Sequence, residues 1–297
     1  MNKLSNKQHV KLYYFTSFKN FGDLLSASLF ERIAGVDIRC CVAKKCEIVA
    51  VGSLLQRFLA LKPFSFIRRL FSASAIVWGS GFMNSPKTSK SLYRSLDVKA
   101  VRGLKTLEVL KKMDHVKISE KLAIGDPGLL ASCIFDTSHI KKKYALGIVV
   151  HYKDKNHPLL SKINVKNSVF IDISQEPLEF MMQLAECENV LASAMHALIA
   201  ADSLGIPNVR MTTKDVGVGD YKFNDYYSAF GLREHRIINL NLRDFSDGDV
   251  IDIEKNYPIN SDKVKEIQSA LIESFPIKNK EYTEFKHSLI NGVSSPN

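Results

Sequence analysis

The chain lacks any uninterrupted apolar run of about 18 residues, so no segment is expected to cross a bilayer as a helix. Cysteine is sparse: Cys40, Cys41, Cys46, Cys133 and Cys187 are odd in number and lack metal-ligand spacing, which argues against a disulfide framework. The opening MNKLSNKQHVKLYYF lacks the roughly 7–15-residue apolar core of a secretory signal, so a reducing cytoplasmic location is the expectation. The formal charge is +10, yet the basic residues are dispersed, with Lys141–Lys143 as their run. No recognition motif accompanies them, and nucleic acid is not expected as a partner. His9, His115, His139, His157, His235 and His287 show no paired spacing with a carboxylate companion, and Asp247-Gly248-Asp249 reads as a turn in a polar segment. Neither a metal nor a cofactor is expected.

What is present is a chain of 297 residues with 45% hydrophobic content, enough for a large core. Its first half alternates apolar runs with helical patterns: strands at 10–15, 47–51, 75–78, 97–101 and 122–124, and helices from 23 to about 33 and from 106 to 113. Glycines follow several of the strands: Gly52-Ser53, Gly79-Ser80-Gly81, Arg102-Gly103 and Gly125-Asp126-Pro127-Gly128. Glycine there lets a backbone approach a ligand closely. A polar stretch, 136–143, reads as a linker. A second series follows, with strands at 145–151, 168–173, 189–192 and 208–211 and helices at 177–186 and 195–204. After Asp225 come a helix, loops, a helix over about 262–275 and a disordered tail at 294–297. The fold class is therefore α/β, with two Rossmann-like domains, 1–140 and 141–297, facing one cleft that collects ligands at the strands' carboxyl ends.

Within the second series, LASAMHALIAADSLGIP (191–207) places His196 where a strand gives way to an apolar helix, with Ser193 as the expected N-cap and Gly205 and Pro207 as stops. A helix start facing a cleft attracts anions, and an imidazole there can donate a proton; the alternative is a histidine packed as structure. The segment LLQRFLALKPFSFIRRLF (54–71) sets Arg57, Lys62, Arg68 and Arg69 among leucines and phenylalanines. It reads either as a core helix with a basic outer face, broken near Pro63, or as a segment lying on an anionic membrane surface.

Six blocks in order, Asn20-Phe21-Gly22-Asp23, Trp78-Gly79-Ser80-Gly81-Phe82, Ala100-Val101-Arg102-Gly103, Gly125-Asp126-Pro127, Val149-Val150-His151-Tyr152 and 193–207, together resemble the polysaccharide pyruvyl transferase family over roughly residues 10–235. The resemblance implies a GT-B-like arrangement with an acceptor-side first half and a donor-side second half. It implies transfer of the pyruvyl carbons of phosphoenolpyruvate onto two hydroxyls of a saccharide, as a cyclic ketal, in surface or exopolysaccharide biosynthesis. The acceptor is then a saccharide, free or carrier-linked, and the inner membrane face a candidate station. Where many relatives carry an arginine two residues before the block's histidine, this chain has Ala194.

Phosphoenolpyruvate carries a carboxylate and a phosphate, so its site must collect cations and N–H donors. Arg102 is the leading cation by this resemblance, with a surface salt bridge as its alternative. His196 is the first choice for phosphate contact and proton donation, its own pKa expected to be lowered by the helix start. His151 is its candidate acid or base partner, or a strand-end cap. Asp23 either takes a proton from a sugar hydroxyl or favours the first helix by its charge. Asn20, Gly22, Gly79, Ser80, Gly81, Ser193 and Met195 are expected as substrate lining. Tyr226 and Tyr227 are candidates for stacking on a sugar or for core anchoring. Two other functions suit the same pattern: a GT-B glycosyltransferase using a nucleotide sugar, and a non-catalytic membrane-associated component of a polysaccharide assembly complex.

Overall fold

The computed structural model describes residues 8–87, 89–213 and 220–290, so the tail expected at 294–297 lies outside the described residues. The first half contains β1 (His9–Tyr13), α1 (Phe21–Ala34), β2 (Asp37–Cys40), β3 (Ile48–Val49), β4 (Leu59–Leu61), α2 (Lys62–Leu70) and β5 (Ala75–Trp78). It continues through β6 (Lys90–Leu92), β7 (Leu96–Val101), α3 (Leu104–Lys111), β8 (Val116–Ile124) and α4 (Ala131–Ile134). Then come β9 (Tyr144–Val149), β10 (Ile163–Asn164), β11 (Ser168–Phe170), α5 (Pro177–Ala185), β12 (Cys187–Ala192), α6 (Met195–Ser203) and β13 (Asn208–Thr212). The remainder is α7 (Tyr221–Ser228), β14 (Ile237–Asn239), β15 (Phe245–Ser246), α8 (Asp247–Lys255), α9 (Ser261–Glu273) and α10 (Lys280–Ile290).

Two parallel sheets result: six strands in the order β2-β1-β3-β5-β7-β8, and five in the order β11-β9-β12-β13-β14. In each the order reverses beside its first strand, so the chain leaves β1 and β3, and likewise β9 and β12, to opposite sides. Such a reversal opens a crevice at the carboxyl ends. Val149 pairs with Ala192, which brings the ends of β9 and β12 level.

Local chemistry sets the helices that reach these crevices. Asn20 caps α1, its side-chain oxygen accepting from Gly22 N at 3.0 Å, and the helix closes on Gly35 at φ 60°. Phe21 N donates to the Ile173 carbonyl, pinning the start of α1 to the second half. Helix α6 is largely apolar and is buried except at His196, with Leu198, Ile199, Ala200 and Ala201 inside one core that also holds Leu25, Leu29 and Phe30 of α1. Truncating Leu198 there costs about 2–5 kcal/mol.

Three expectations need correction. Ser193 does not cap α6: Ala194 holds that position, and the Ser193 hydroxyl instead accepts from His151 N at 2.8 Å. Asp247-Gly248-Asp249 is the first turn of α8, where Asp249 forms a capping box with Ser246. Residues 141–297 do not all pack with the second sheet, because α9 and α10 return to the first. Trp78, the single tryptophan, donates to the Leu271 carbonyl at 3.1 Å and packs edge-on against Phe275, while Asn279 donates to the Ala34 carbonyl at 2.7 Å. A buried indole N–H needs an acceptor, and α9 supplies it.

Candidate active site

The loops after β1, β3, β9 and β12 meet around a cavity of about 560 Å³. The first half contributes Tyr13, Phe15, Asn20, Asp23 and the turn Gly52–Leu54; the second contributes His151, Tyr152, Lys153 and Ala194–His196. Both reversals of strand order thus open onto one space. Phe18 and Tyr152 stack at 4.9 Å and join the loops after β1 and β9. Arg57, Lys90, Lys153 and Lys222 also line the cavity, with Asp23 as the one carboxylate among the described lining residues. The excess of cations in a partly enclosed space suits an anionic ligand.

His196 lies in the first turn of α6, directly against the first turn of α1. A Cβ on Gly22 would fall 2.0 Å from His196 Nδ1, so only glycine permits this approach of the two helix starts. His196 Nε2 is buried and makes no hydrogen bond, and 4.0 Å away Asp126 Oδ2 is buried and equally unpartnered. The other Asp126 oxygen accepts from Gly128 N at 2.9 Å. Burial, helped by Lys222, Arg102 and His151, pushes the His196 pKa down to about 3, while burial raises Asp126 to about 6. The imidazole is therefore neutral near pH 7 in the free protein. Burial, and not the helix start expected from sequence, is the leading cause.

Asp23 is also buried, and desolvation lifts it to about 6 against the opposing pull of the Phe15 backbone and the Asn20 amide, which donates to its carboxylate at 2.8 Å. A carboxyl group with that pKa exchanges protons near neutrality. His151 Nδ1 accepts from Lys153 N at 3.3 Å.

Residues 5–215 match the family model described as polysaccharide pyruvyl transferase. The chain belongs to the polysaccharide pyruvyl transferase family. It is 27% identical over 289 residues to an uncharacterized protein of Acanthamoeba polyphaga mimivirus, covering 92% of this chain and 94% of that one. A functionally uncharacterized protein of Klebsiella pneumoniae subsp. pneumoniae, solved as a crystal structure, aligns with a TM-score of 0.43 at 14% identity, over 78% of this chain and 93% of that one.

In this pyruvyl transferase family member the structure divides the residues singled out from sequence into two groups. His196, His151, Asp23, Asn20 and Met195 line the cavity together. Arg102 does not reach it: fully buried, it donates through Nε to Asp225 at 2.9 Å, through Nη2 to the Phe82 carbonyl at 2.6 Å and through Nη1 to Ser53 at 2.6 Å. Asp225 in turn accepts from the Thr106 amide and hydroxyl at 2.8 and 2.7 Å. The expected anion-binding cation is thus the anchor of a buried network that steadies Ser53 in the cavity wall.

The three residues after β5 serve the same wall from behind. Ser80 donates to the Gly52 carbonyl at 2.8 Å, a Cβ on Gly81 would strike the Arg102 guanidinium at 2.5 Å, and Gly79 sits at φ 84° with Pro127 packed on it. Ser193 lies in an adjoining cavity of about 240 Å³ that shares His151, Lys153 and Lys222 with the first. Tyr226 and Tyr227 are buried: the Tyr226 hydroxyl donates to Asp202 at 2.6 Å and the Tyr227 ring stacks on His235 at 4.7 Å, so core anchoring is their role.

Sequence reasoning missed Asp126 as the partner of His196, Asp225 as the partner of Arg102, and three cations, Lys90, Lys153 and Lys222. Lys153, two residues after His151, and Asp126, inside the Gly125-Asp126-Pro127 block, carried a local signal. The others come from distant segments.

Proposed function

We propose that this chain transfers the pyruvyl group of phosphoenolpyruvate to two hydroxyls of a saccharide, giving a cyclic ketal and inorganic phosphate without a resident metal or cofactor. The observation that carries this reading is the gathering of Arg57, Lys90, Lys153 and Lys222 in one cavity with a neutral imidazole and a carboxyl group that titrates near 6. The carboxylate and phosphate of the donor match those cations, which also supply the charge absent at Ala194. A GT-B-like pairing of the two sheets, with the acceptor on the β1 and β3 side, suits this use of the cavity.

In the reaction, a proton adds to the methylene carbon and converts it to a methyl group while a sugar hydroxyl oxygen bonds to the central carbon. The bond from that carbon to the phosphate oxygen then breaks, and the second hydroxyl closes the ring. Of the two hydroxyl protons, one balances the new methyl group and the other leaves with phosphate. His196 sits where a bound phosphate dianion would raise its pKa and load it for donation. Asp126 is the reserve of that proton, since two buried groups of opposite type 4.0 Å apart can hold one proton between them. Asp23, ionised above about pH 6, receives the proton of the attacking hydroxyl.

The test is incubation with phosphoenolpyruvate and a panel of free and carrier-linked saccharides. Stoichiometric phosphate release and a product heavier by one pyruvyl ketal support the reading. Absence of both, with thermal stabilisation by a nucleoside diphosphate and none by phosphoenolpyruvate, would replace it with glycosyl transfer.

A further inference from the structure

Helix α2 is built inside out. At about 100° per residue, Phe66, Leu70, Ile67, Phe71 and Phe64 fall on one arc of roughly 160°, with Ser65 and Arg69 on the other side. The polar side faces the protein: Ser65 is buried with its hydroxyl 2.6 Å from that of Ser91, and Arg69 Nη1 donates to the Leu92 carbonyl at 2.9 Å. The apolar arc faces solvent, with Phe64 and Phe66 each 59% exposed, Ile67 57%, Leu70 67% and Phe71 83%. Of the two sequence readings of this segment, the core helix is therefore excluded. Such a contiguous apolar patch on a soluble fold marks a surface that something covers.

The charge around it indicates what. Residues 48–96 contain no Asp or Glu and seven basic residues, Arg57, Lys62, Arg68, Arg69, Lys87, Lys90 and Arg94. Arg57, Arg68, Lys87 and Lys90 are exposed. Strand β4 runs directly into α2 and pairs antiparallel with β6, and Arg57 and Lys90 at this ribbon also line the cavity. We propose that α2 docks on an anionic lipid surface, its apolar arc in the acyl boundary and the surrounding arginines and lysines among the phosphates. That orientation turns the Arg57–Lys90 side of the cavity toward the membrane. A second copy of the chain would bring the same basic, acid-free segment 48–96 to the patch, and like charges oppose that pairing. The proposal rests on exposure and charge, so it stands or falls apart from the reaction.

The full chain is expected to co-sediment with vesicles of equal parts phosphatidylcholine and phosphatidylglycerol, more weakly with phosphatidylcholine alone, and less as salt rises. Ile67→Asp with Phe71→Asp lowers the partition about tenfold or more, and Arg68→Glu lowers it less. Leu242→Asp, at an exposed leucine elsewhere, leaves it unchanged. An unaltered melting temperature shows that the variants fold. Vesicle binding that the double variant retains, or no binding by the native chain, overturns the proposal. A native dimer that the double variant disperses also overturns it and assigns the patch to a second copy.

Discussion

Two acid–base pairs meet the cavity, one buried behind its wall and one at it, and they are satisfied to opposite degrees. Arg102 and Asp225 are wholly enclosed, and their polar atoms are tied to each other, to Ser53, to Phe82 and to Thr106. His196 opens onto the cavity with Asp126 buried behind it, yet the two atoms that face each other across 4.0 Å are buried and have no hydrogen bond among the described residues. A fully partnered buried pair has little freedom to change its charge or contacts, which suits a scaffold. A pair left unpartnered carries a desolvation cost that persists only where something else requires it, and a site that moves a proton is such a place. What distinguishes these two pairs is hydrogen-bond completeness rather than burial of the facing atoms.

Arg102→Met should have the largest effect, about 3–5 kcal/mol of lost stability from leaving Asp225 buried without its cation. A denaturant titration measures it, and a folded Arg102→Met protein that has lost phosphoenolpyruvate affinity would return Arg102 to the ligand-binding set. His196→Gln should instead lower turnover about 10²- to 10³-fold, equivalent to about 3–4 kcal/mol of activation energy, with a melting temperature close to the native one. An inactive but also unfolded variant would mean that both pairs are scaffold.

Asp23→Asn sharpens the contrast through pH. The carboxyl group is raised from its ordinary value to about 6 in the folded chain, so the native state holds the proton more tightly than the unfolded state. Its contribution is fully present below about pH 4 and lost as pH rises through about 6. The variant should therefore equal the native chain near pH 4 and exceed it by about 2–3 kcal/mol at pH 7, while losing turnover. Equal stability at both pH values would remove the shift. Gly22→Ala should cost about 1–3 kcal/mol by driving a methyl group into the His196 ring, and turnover should fall further than stability does. The split between kcat and melting temperature reads this out.

Much of the fold was legible in the residues themselves. The apolar strands 75–78, 189–192 and 208–211 and the helices after Gly103 and Ala194 formed within a few residues of expectation, because apolar runs and glycines such as Gly79, Gly103 and Gly205 mark them locally. The misses share a cause. Ser193 has the chemistry of an N-cap, but its hydroxyl is taken by the His151 amide 42 residues away. Arg102 follows a strand as a ligand cation would, but Asp225, 123 residues on, claims it. The three-residue strands β4 and β6 carry too few side chains for a period to show.

Local spacing and composition were enough to set the α/β class, the family blocks and the residue types available at each strand end. Only the tertiary structure decided which of those residues share a space. It sent Arg102 and Gly81 behind the wall, brought Lys90 and Lys222 into it, set Asp126 against His196 and turned the apolar arc of α2 outward. Those outcomes depend on the topology of two parallel sheets, whose crossings join segments far apart in the chain, and a one-dimensional pattern carries no record of which segments meet.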